Sequence, residues 1–311
     1  MKNLAKLAWI VFSLSHARAA ESEILLEPVD EERKRTVPIK VYLPASTGPQ
    51  PVVLFSHGLG GSREGNSYLG THWAKNGYVA VFLQHPGSDE SVWRDTPPRE
   101  RMTALKEAAN GANFLARLFD VRFVIDQLER WNAEEEHPLA GRLDIDHIGM
   151  SGHSFGARTT QTLMGQRFGN GRSLGDPRLD AFLPLSPSVG RNSPGEAFGH
   201  ISAPVLAMTG TLDDSPINPE TTPDSRPKMY AALPPGDKYQ VVFDKGQHFD
   251  FGDSRRNHAD RSPRIHPAVQ QLSTLFWDAY LRQDETAKAK LRSPQLREEA
   301  GLVAKDAWDW K

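Results

Sequence analysis

The stretch Ile148-Gly149-Met150-Ser151-Gly152-His153-Ser154-Phe155-Gly156-Ala157 sets a short apolar run against a serine flanked by two glycines. Ile148–Met150 reads as a buried strand, and Ser154–Arg167 as the helix that follows it. A G-x-S-x-G pattern alone is a weak signal, because its three fixed residues are common. Its place between a strand and a helix gives it weight. Glycines on both sides let the backbone turn tightly and leave room for a serine that projects from the sheet edge, which a nucleophile needs.

The same strand signature recurs on both sides of that turn. Upstream lie Thr36–Leu43, Val52–Phe55 and Tyr78–Leu83; downstream lie Ala181–Leu185, Val205–Met208 and Tyr239–Phe243. Helical stretches fall between them. Asn113–Trp131 spaces Phe114, Leu118, Val121, Ile125 and Leu128 on one face, with its charges expected on the other, and Pro267–Arg282 is a further helix. Strands alternating with helices predict an α/β protein, a mostly parallel central sheet with helices on both faces. With the serine turn, that pattern predicts the α/β-hydrolase fold. Sites in such sheets form where loops leave the carboxyl ends of strands. The loops Gly87–Glu100, Gly165–Arg178, Pro187–His200 and Thr211–Pro227 are therefore expected to shape a pocket.

A serine nucleophile needs a base for its proton and a carboxylate to orient that base. In this fold the chain order is serine, acid, histidine. The strand Val205–Met208 runs into Thr209-Gly210-Thr211-Leu212-Asp213-Asp214, and Tyr239–Phe243 runs into Asp244-Lys245-Gly246-Gln247-His248. His248 is the predicted base. Asp213 is the preferred acid, at G-x-x-D spacing from Gly210, with its neighbour Asp214 the alternative. The tetrahedral intermediate carries a negative oxygen that needs backbone N–H donors. Phe155, directly after the nucleophile, supplies one. Leu59, in the glycine-rich loop Ser56-His57-Gly58-Leu59-Gly60-Gly61, supplies the other.

FSHGLGG followed by GHSFGA, together with QHPGS after Leu83 and TGTLDDSP, resembles the platelet-activating-factor acetylhydrolase-like branch of α/β-hydrolases, near dienelactone-hydrolase-type bacterial proteins. The resemblance runs from about Thr36 to Arg282. It implies a Ser–Asp–His esterase with no metal or organic cofactor, and with Leu59 and Phe155 as oxyanion donors. Two departures bear on substrate. The acid of the animal enzymes follows the strand after the nucleophile helix, where this chain reads Leu185-Ser186-Pro187. Dienelactone hydrolases use a cysteine nucleophile, and this chain has no cysteine.

Composition narrows the function classes. A formal net charge of −2 over 311 residues leaves no electrostatic footprint for nucleic acid or an anionic membrane. The lack of cysteine excludes disulfides and thiolate metal sites, and separates the chain from disulfide-stapled cutinases. Eleven histidines form no H-E-x-x-H motif; His57 and His85 are read as packing or loop residues, and His153 as one that packs beside the site. Trp73 and Trp93 read as packing groups, Glu134–Glu136 as a solvated helix end, and Trp308 and Trp310 as marks of a docked terminus.

Lys2 and Lys6, the apolar run Leu7–Leu14 and the small residues Ala17 and Ala19 read as a secretory signal over residues 1–19, ahead of one catalytic domain at 20–311. The apolar run is far shorter than the roughly 20 residues that span a bilayer. Its removal takes Lys2, Lys6 and Arg18 and no acid, leaving a mature net charge of −5 and a secreted or periplasmic protein. The expected activity is hydrolysis of short to medium acyl esters. Polyester or phospholipid acyl hydrolysis, amide or peptide hydrolysis, and a catalytically silent binding protein on the same scaffold are the alternatives.

Overall fold

Along Val52-Val53-Leu54-Phe55, Val52 and Leu54 pack into one apolar cluster and Val53 and Phe55 into another. Side chains on a strand alternate between faces, so a strand with both sets buried must lie in a sheet covered on both sides. That is the architecture of the computed structural model, which describes residues 21–190, 193–253 and 262–311. The stretch read as a secretory signal, residues 1–19, lies outside the described residues.

In chain order the strands are β1 (Ser22–Leu26), β2 (Val29–Asp30), β3 (Arg35–Thr36), β4 (Ile39–Leu43), β5 (Gln50–Ser56), β6 (Val79–Leu83), β7 (Leu143–His153), β8 (Ala181–Leu185), β9 (Val205–Leu212), β10 (Lys238–Gln247) and β11 (Ala307–Trp310). β2 and β3 form a two-stranded ladder of their own. The other nine make one sheet in the order β1-β4-β6-β5-β7-β8-β9-β10-β11. From β6 to β10 every neighbouring pair is parallel, whereas β1, β4 and β11 pair antiparallel at the two sides. The expected strand Thr36–Leu43 is split between β3 and β4. Pro38 lies in the gap and has no N–H to give a ladder.

The helices include α1 (Ser67–Lys75), α2 (Ser91–Arg94), α3 (Arg101–Ala108), α4 (Gly111–Ala133) and α5 (Phe155–Leu163). Leu118, Val121, Val124, Ile125 and Leu128 of α4 pack with Val52 and Leu54 on one face. Leu69 and Trp73 of α1, with Phe276 and Trp277 of the helix Ile265–Leu281, cover the other. Trp73 meets Trp277 edge-on at 5.9 Å, and its indole N–H is held by Ser273 Oγ at 2.9 Å. Each such side chain contributes about 1.5–3 kcal/mol on burial.

One expectation fails on α4. Its sequence pattern puts the charges on the outer face, but Arg117 and Asp120 are fully buried with the apolar residues. A charge can sit there only when its desolvation is offset by partners; these are Arg33, Arg35 and His85 for Asp120, and His57 and Ser88 for Arg117. At the C-terminal edge, β11 pairs with β10, so Trp308 stacks near Tyr239 with ring centroids 5.9 Å apart. Among the described residues no helix is long and apolar enough to cross a membrane.

Candidate active site

β7 ends at His153 and α5 begins at Phe155, which leaves Ser154 alone to make the turn, at φ 58° and ψ −111°. A non-glycine residue there stores on the order of 1–3 kcal/mol. The flanking glycines are required by contact rather than by flexibility. A Cβ on Gly156 would lie 1.8 Å from Ser56 O, and one on Gly152 would lie 2.5 Å from Gly156. Any side chain at either position would push the turn off the sheet.

β10 delivers His248 to the same spot, at the start of a 3-10 turn (His248–Phe251). Gln247 N–H donates to Asp250 Oδ2 at 2.7 Å and fixes that turn. Asp213 follows β9, buried, with Thr209 Oγ1 donating to its Oδ2 at 2.8 Å. His248 Nδ1 stands 2.7 Å from Asp213 Oδ1, and His248 Nε2 stands 2.9 Å from Ser154 Oγ. An ionised carboxylate only accepts, so Nδ1 carries the proton and Nε2 turns its lone pair to the serine hydroxyl. Burial pushes the Asp213 carboxyl up, but its hydrogen bond with His248 and the charges of His248 and Arg226 outweigh this and lower it. Asp214 is exposed, its N–H on Leu212 O. The structure thus brings Asp213 to the imidazole and leaves Asp214 outside.

Two groups brace this line. His153 Nε2–H donates to His248 O at 3.0 Å while the two rings pack 4.7 Å apart. Burial pushes the His153 imidazole down to about 3, so it stays uncharged. Arg226, which the sequence reading missed, places Nε 2.9 Å from Asp213 Oδ1 and 2.5 Å from Asp213 O. Its Nη1 reaches Ser186 O and Pro187 O at 2.8 and 3.0 Å. It ties the acid loop to the loop after β8. Nothing in the local sequence around Arg226 marks that role.

The loop after β5 is set by a second network. Asp120 accepts from Arg33, from Arg35 and from His85 Nδ1, the last at 3.0 Å. His85 therefore keeps a bare Nε2, 2.9 Å from Ser56 Oγ. His85 N–H donates to His57 Nε2 at 3.1 Å, so the His57 proton sits on Nδ1 and bonds Gly58 O at 2.6 Å. Gly61 N–H also donates to Gly58 O. Because the peptide is trans and planar, Leu59 N–H points opposite to that bound carbonyl. Arg117 clamps the turn with Nη1 and Nη2 on His57 O, at 2.8 and 2.7 Å, and Nε on Ser88 Oγ. Its guanidinium carbon lies 4.7 Å from the centroid of the Phe155 ring. Burial pushes Arg117 down to about 9, with Asp120 and Asp89 acting against it, which leaves it a cation at neutral pH. Trp93 Nε1 donates to Gly60 O at 2.7 Å. Among the described residues, Leu59 N–H and Phe155 N–H have no acceptor.

Leu59, Ser154 and Phe155 open into a cleft of about 680 Å³. Three of the four long loops line it, through Gln166 and Phe168, through Ser188 and Val189, and through Ser215–Thr221 with Arg226. The fourth, Gly87–Glu100, supplies no lining residue; Trp93 shows that it supports the Leu59 loop instead. Among the described residues no three His, Cys, Asp or Glu side chains are grouped to hold a metal.

The fold and these residues define the class: the chain has the α/β-hydrolase fold, with a serine–histidine–carboxylate line at the carboxyl ends of its strands. A ferulic acid esterase from Streptomyces cinnamoneus shares the fold at a TM-score of 0.65 and 18% identity, over 95% of this chain and 98% of that one. In sequence, residues 31–110 match the family model of platelet-activating factor acetylhydrolase, isoform II. The platelet-activating factor acetylhydrolase of Cavia porcellus is 29% identical over 180 residues. That alignment covers 45% of this chain and 38% of the relative's length. The family match covers β3 to α3, so it contains the Leu59 loop but not Ser154.

Proposed function

We propose that this protein is a serine hydrolase of carboxylic esters that acts through an acyl-enzyme. The observation that carries this reading is the unbroken line Ser154 Oγ–His248 Nε2, His248 Nδ1–Asp213 Oδ1, at 2.9 and 2.7 Å, beside two free backbone N–H donors. Ser154 attacks the ester carbonyl as His248 takes its proton, and Asp213 stabilises the imidazolium that forms. Leu59 N–H and Phe155 N–H hold the developing oxyanion, where one donor is worth about 3–4 kcal/mol of barrier. His248 then returns the proton to the leaving alcohol. A water activated by the same imidazole frees the acid.

The cleft is open and lined by many hydroxyl-bearing residues, which suits a small ester with a short to medium acyl group. The acetylhydrolase and ferulic acid esterase likenesses support ester over amide chemistry. The chain is further proposed to be exported after cleavage behind Ala19, which N-terminal sequencing of the extracellular or periplasmic protein reads directly. A series of p-nitrophenyl esters from acetate to decanoate, beside p-nitroacetanilide, tests the activity. Turnover greatest at two to six carbons, with no anilide cleavage, is expected; faster anilide cleavage contradicts the reading.

A further inference from the structure

Arg158 lies one helical turn beyond Ser154 on α5, in the wall of the same cleft. Its guanidinium carbon sits 5.1 Å from the ring centroid of Phe114 and 5.8 Å from that of Phe155. These rings support it from the protein side while the residue stays exposed to the cleft. Among the described residues, no carboxylate lies within ion-pair distance of it and no acceptor takes its N–H groups. Arg226, in the same wall, is the opposite case, with its donors on Asp213, Ser186 and Pro187. Glu220 is the acid of the cleft lining; it is exposed in the facing loop and makes no ion pair with Arg158. The Arg158 guanidinium is pushed down by desolvation, with no anion to hold it up.

An arginine has five donors in a planar fork that matches a carboxylate. A fork with none of them filled, held beside two rings and near a nucleophile, is prepared for an anion that arrives with the substrate. We infer that Arg158 forms an anion subsite of the cleft, and that the preferred esters carry a carboxylate on the arm that runs along α5. This rests on the ester hydrolase reading above and names its substrate class. Four residues of helix rise about 6 Å. The carboxylate therefore stands on the order of 5–7 Å from the scissile carbonyl, the span of a para-acyloxybenzoate or a five-carbon diacid.

The test compares two pairs of esters, each an anion and its neutral methyl ester. Monomethyl glutarate against dimethyl glutarate places the charge on the acyl side. 4-Acetoxybenzoate against methyl 4-acetoxybenzoate places it on the leaving side. In at least one pair, Arg158→Gln is expected to lower the anionic-to-neutral ratio of kcat/KM at least thirtyfold. Arg158→Lys keeps the charge without the fork and falls between. Equal losses on both members of both pairs overturn the subsite and leave Arg158 as packing for Phe114 and Phe155. Absence of turnover on all four esters by the unaltered protein overturns the hydrolase reading instead. The subsite is then read by calorimetric titration with 4-acetamidobenzoate, expected to bind at least tenfold more weakly to Arg158→Gln; equal binding overturns it.

Discussion

The two halves of the site around Ser154 are built in different ways. The triad half is made of side chains: Asp213, His248 and Ser154 stand at the ends of β9, β10 and β7, which carry them together, and His153 and Arg226 brace them. The proposed oxyanion half is made of backbone. Leu59 N–H is aimed only because Gly58 O is turned inward by His57 and Gly61, and His57 in turn by His85 and Arg117. A catalytic side chain can be placed by the strand it follows, whereas a catalytic amide needs a fixed peptide plane and thus a buried brace. Arg117 and Asp120 are that brace, and this is why α4 buries charges on its apolar face.

Asp213→Asn breaks the triad half most severely. It preserves shape but favours the wrong imidazole tautomer, so kcat should fall by roughly 10⁴. Asp214→Asn, at an exposed carboxylate away from the imidazole, should cost no more than about tenfold; a reversal of that order, with both proteins folded by circular dichroism, contradicts the assignment of the acid.

The oxyanion half breaks differently. Arg117→Met frees the His57 carbonyl and the Leu59 peptide, and kcat should fall by about 10²–10³, the range for one lost oxyanion donor. KM should move less than threefold, because the interaction matters mainly in the transition state. Trp93→Phe keeps the ring but loses the bond to Gly60 O, and a threefold to tenfold fall in kcat with unchanged melting is expected. If Trp93→Phe raises KM and spares kcat, Trp93 touches substrate rather than the loop.

Legibility followed the same division. The parallel strands were readable because burial on both faces makes them continuous apolar runs, and Asp213 and His248 were readable because they follow such runs. Arg226 was not readable, since its partners are carbonyls of Asp213, Ser186 and Pro187 that only the fold brings near. Arg117 lies 60 residues from His57 and looks in sequence like any solvated helix charge. β1 escaped because its exposed edge carries a weak alternation, with Leu25 facing solvent. β11 has four residues, and Trp308 and Trp310 signalled a docking site without its register. The length of the loop Gly87–Glu100 points to the cleft, but its Trp93 supports the backbone of the Leu59 loop through Gly60 O.

Both halves rest on uncharged buried histidines. Desolvation lowers all three: His153 under the triad to about 3, His85 to about 4, and His57 well below its ordinary value, helped by Arg117 and His85. The unfolded chain takes up these protons near the ordinary value of about 6.5 and the folded chain does not. Stability is therefore full above that value and falls as pH drops toward the folded values, by about 1.4 kcal/mol per unit for each histidine. Tm should fall by roughly 10 °C from pH 7.5 to 5.0, with two to three protons taken up on unfolding at pH 5.5. An unchanged Tm contradicts the neutral network under the Leu59 loop.

Ser154 is the proposed nucleophile of an ester hydrolase, and stoichiometric reaction with a fluorophosphonate reads that role at the side chain itself. Intact-mass analysis should show one adduct per chain, peptide mapping should place it on Ser154, and p-nitrophenyl acetate hydrolysis should fall in proportion to labelling. Ser154→Ala should be folded, unlabelled and inactive. An adduct on another residue, or full ester turnover by the labelled protein or by Ser154→Ala, would contradict the account.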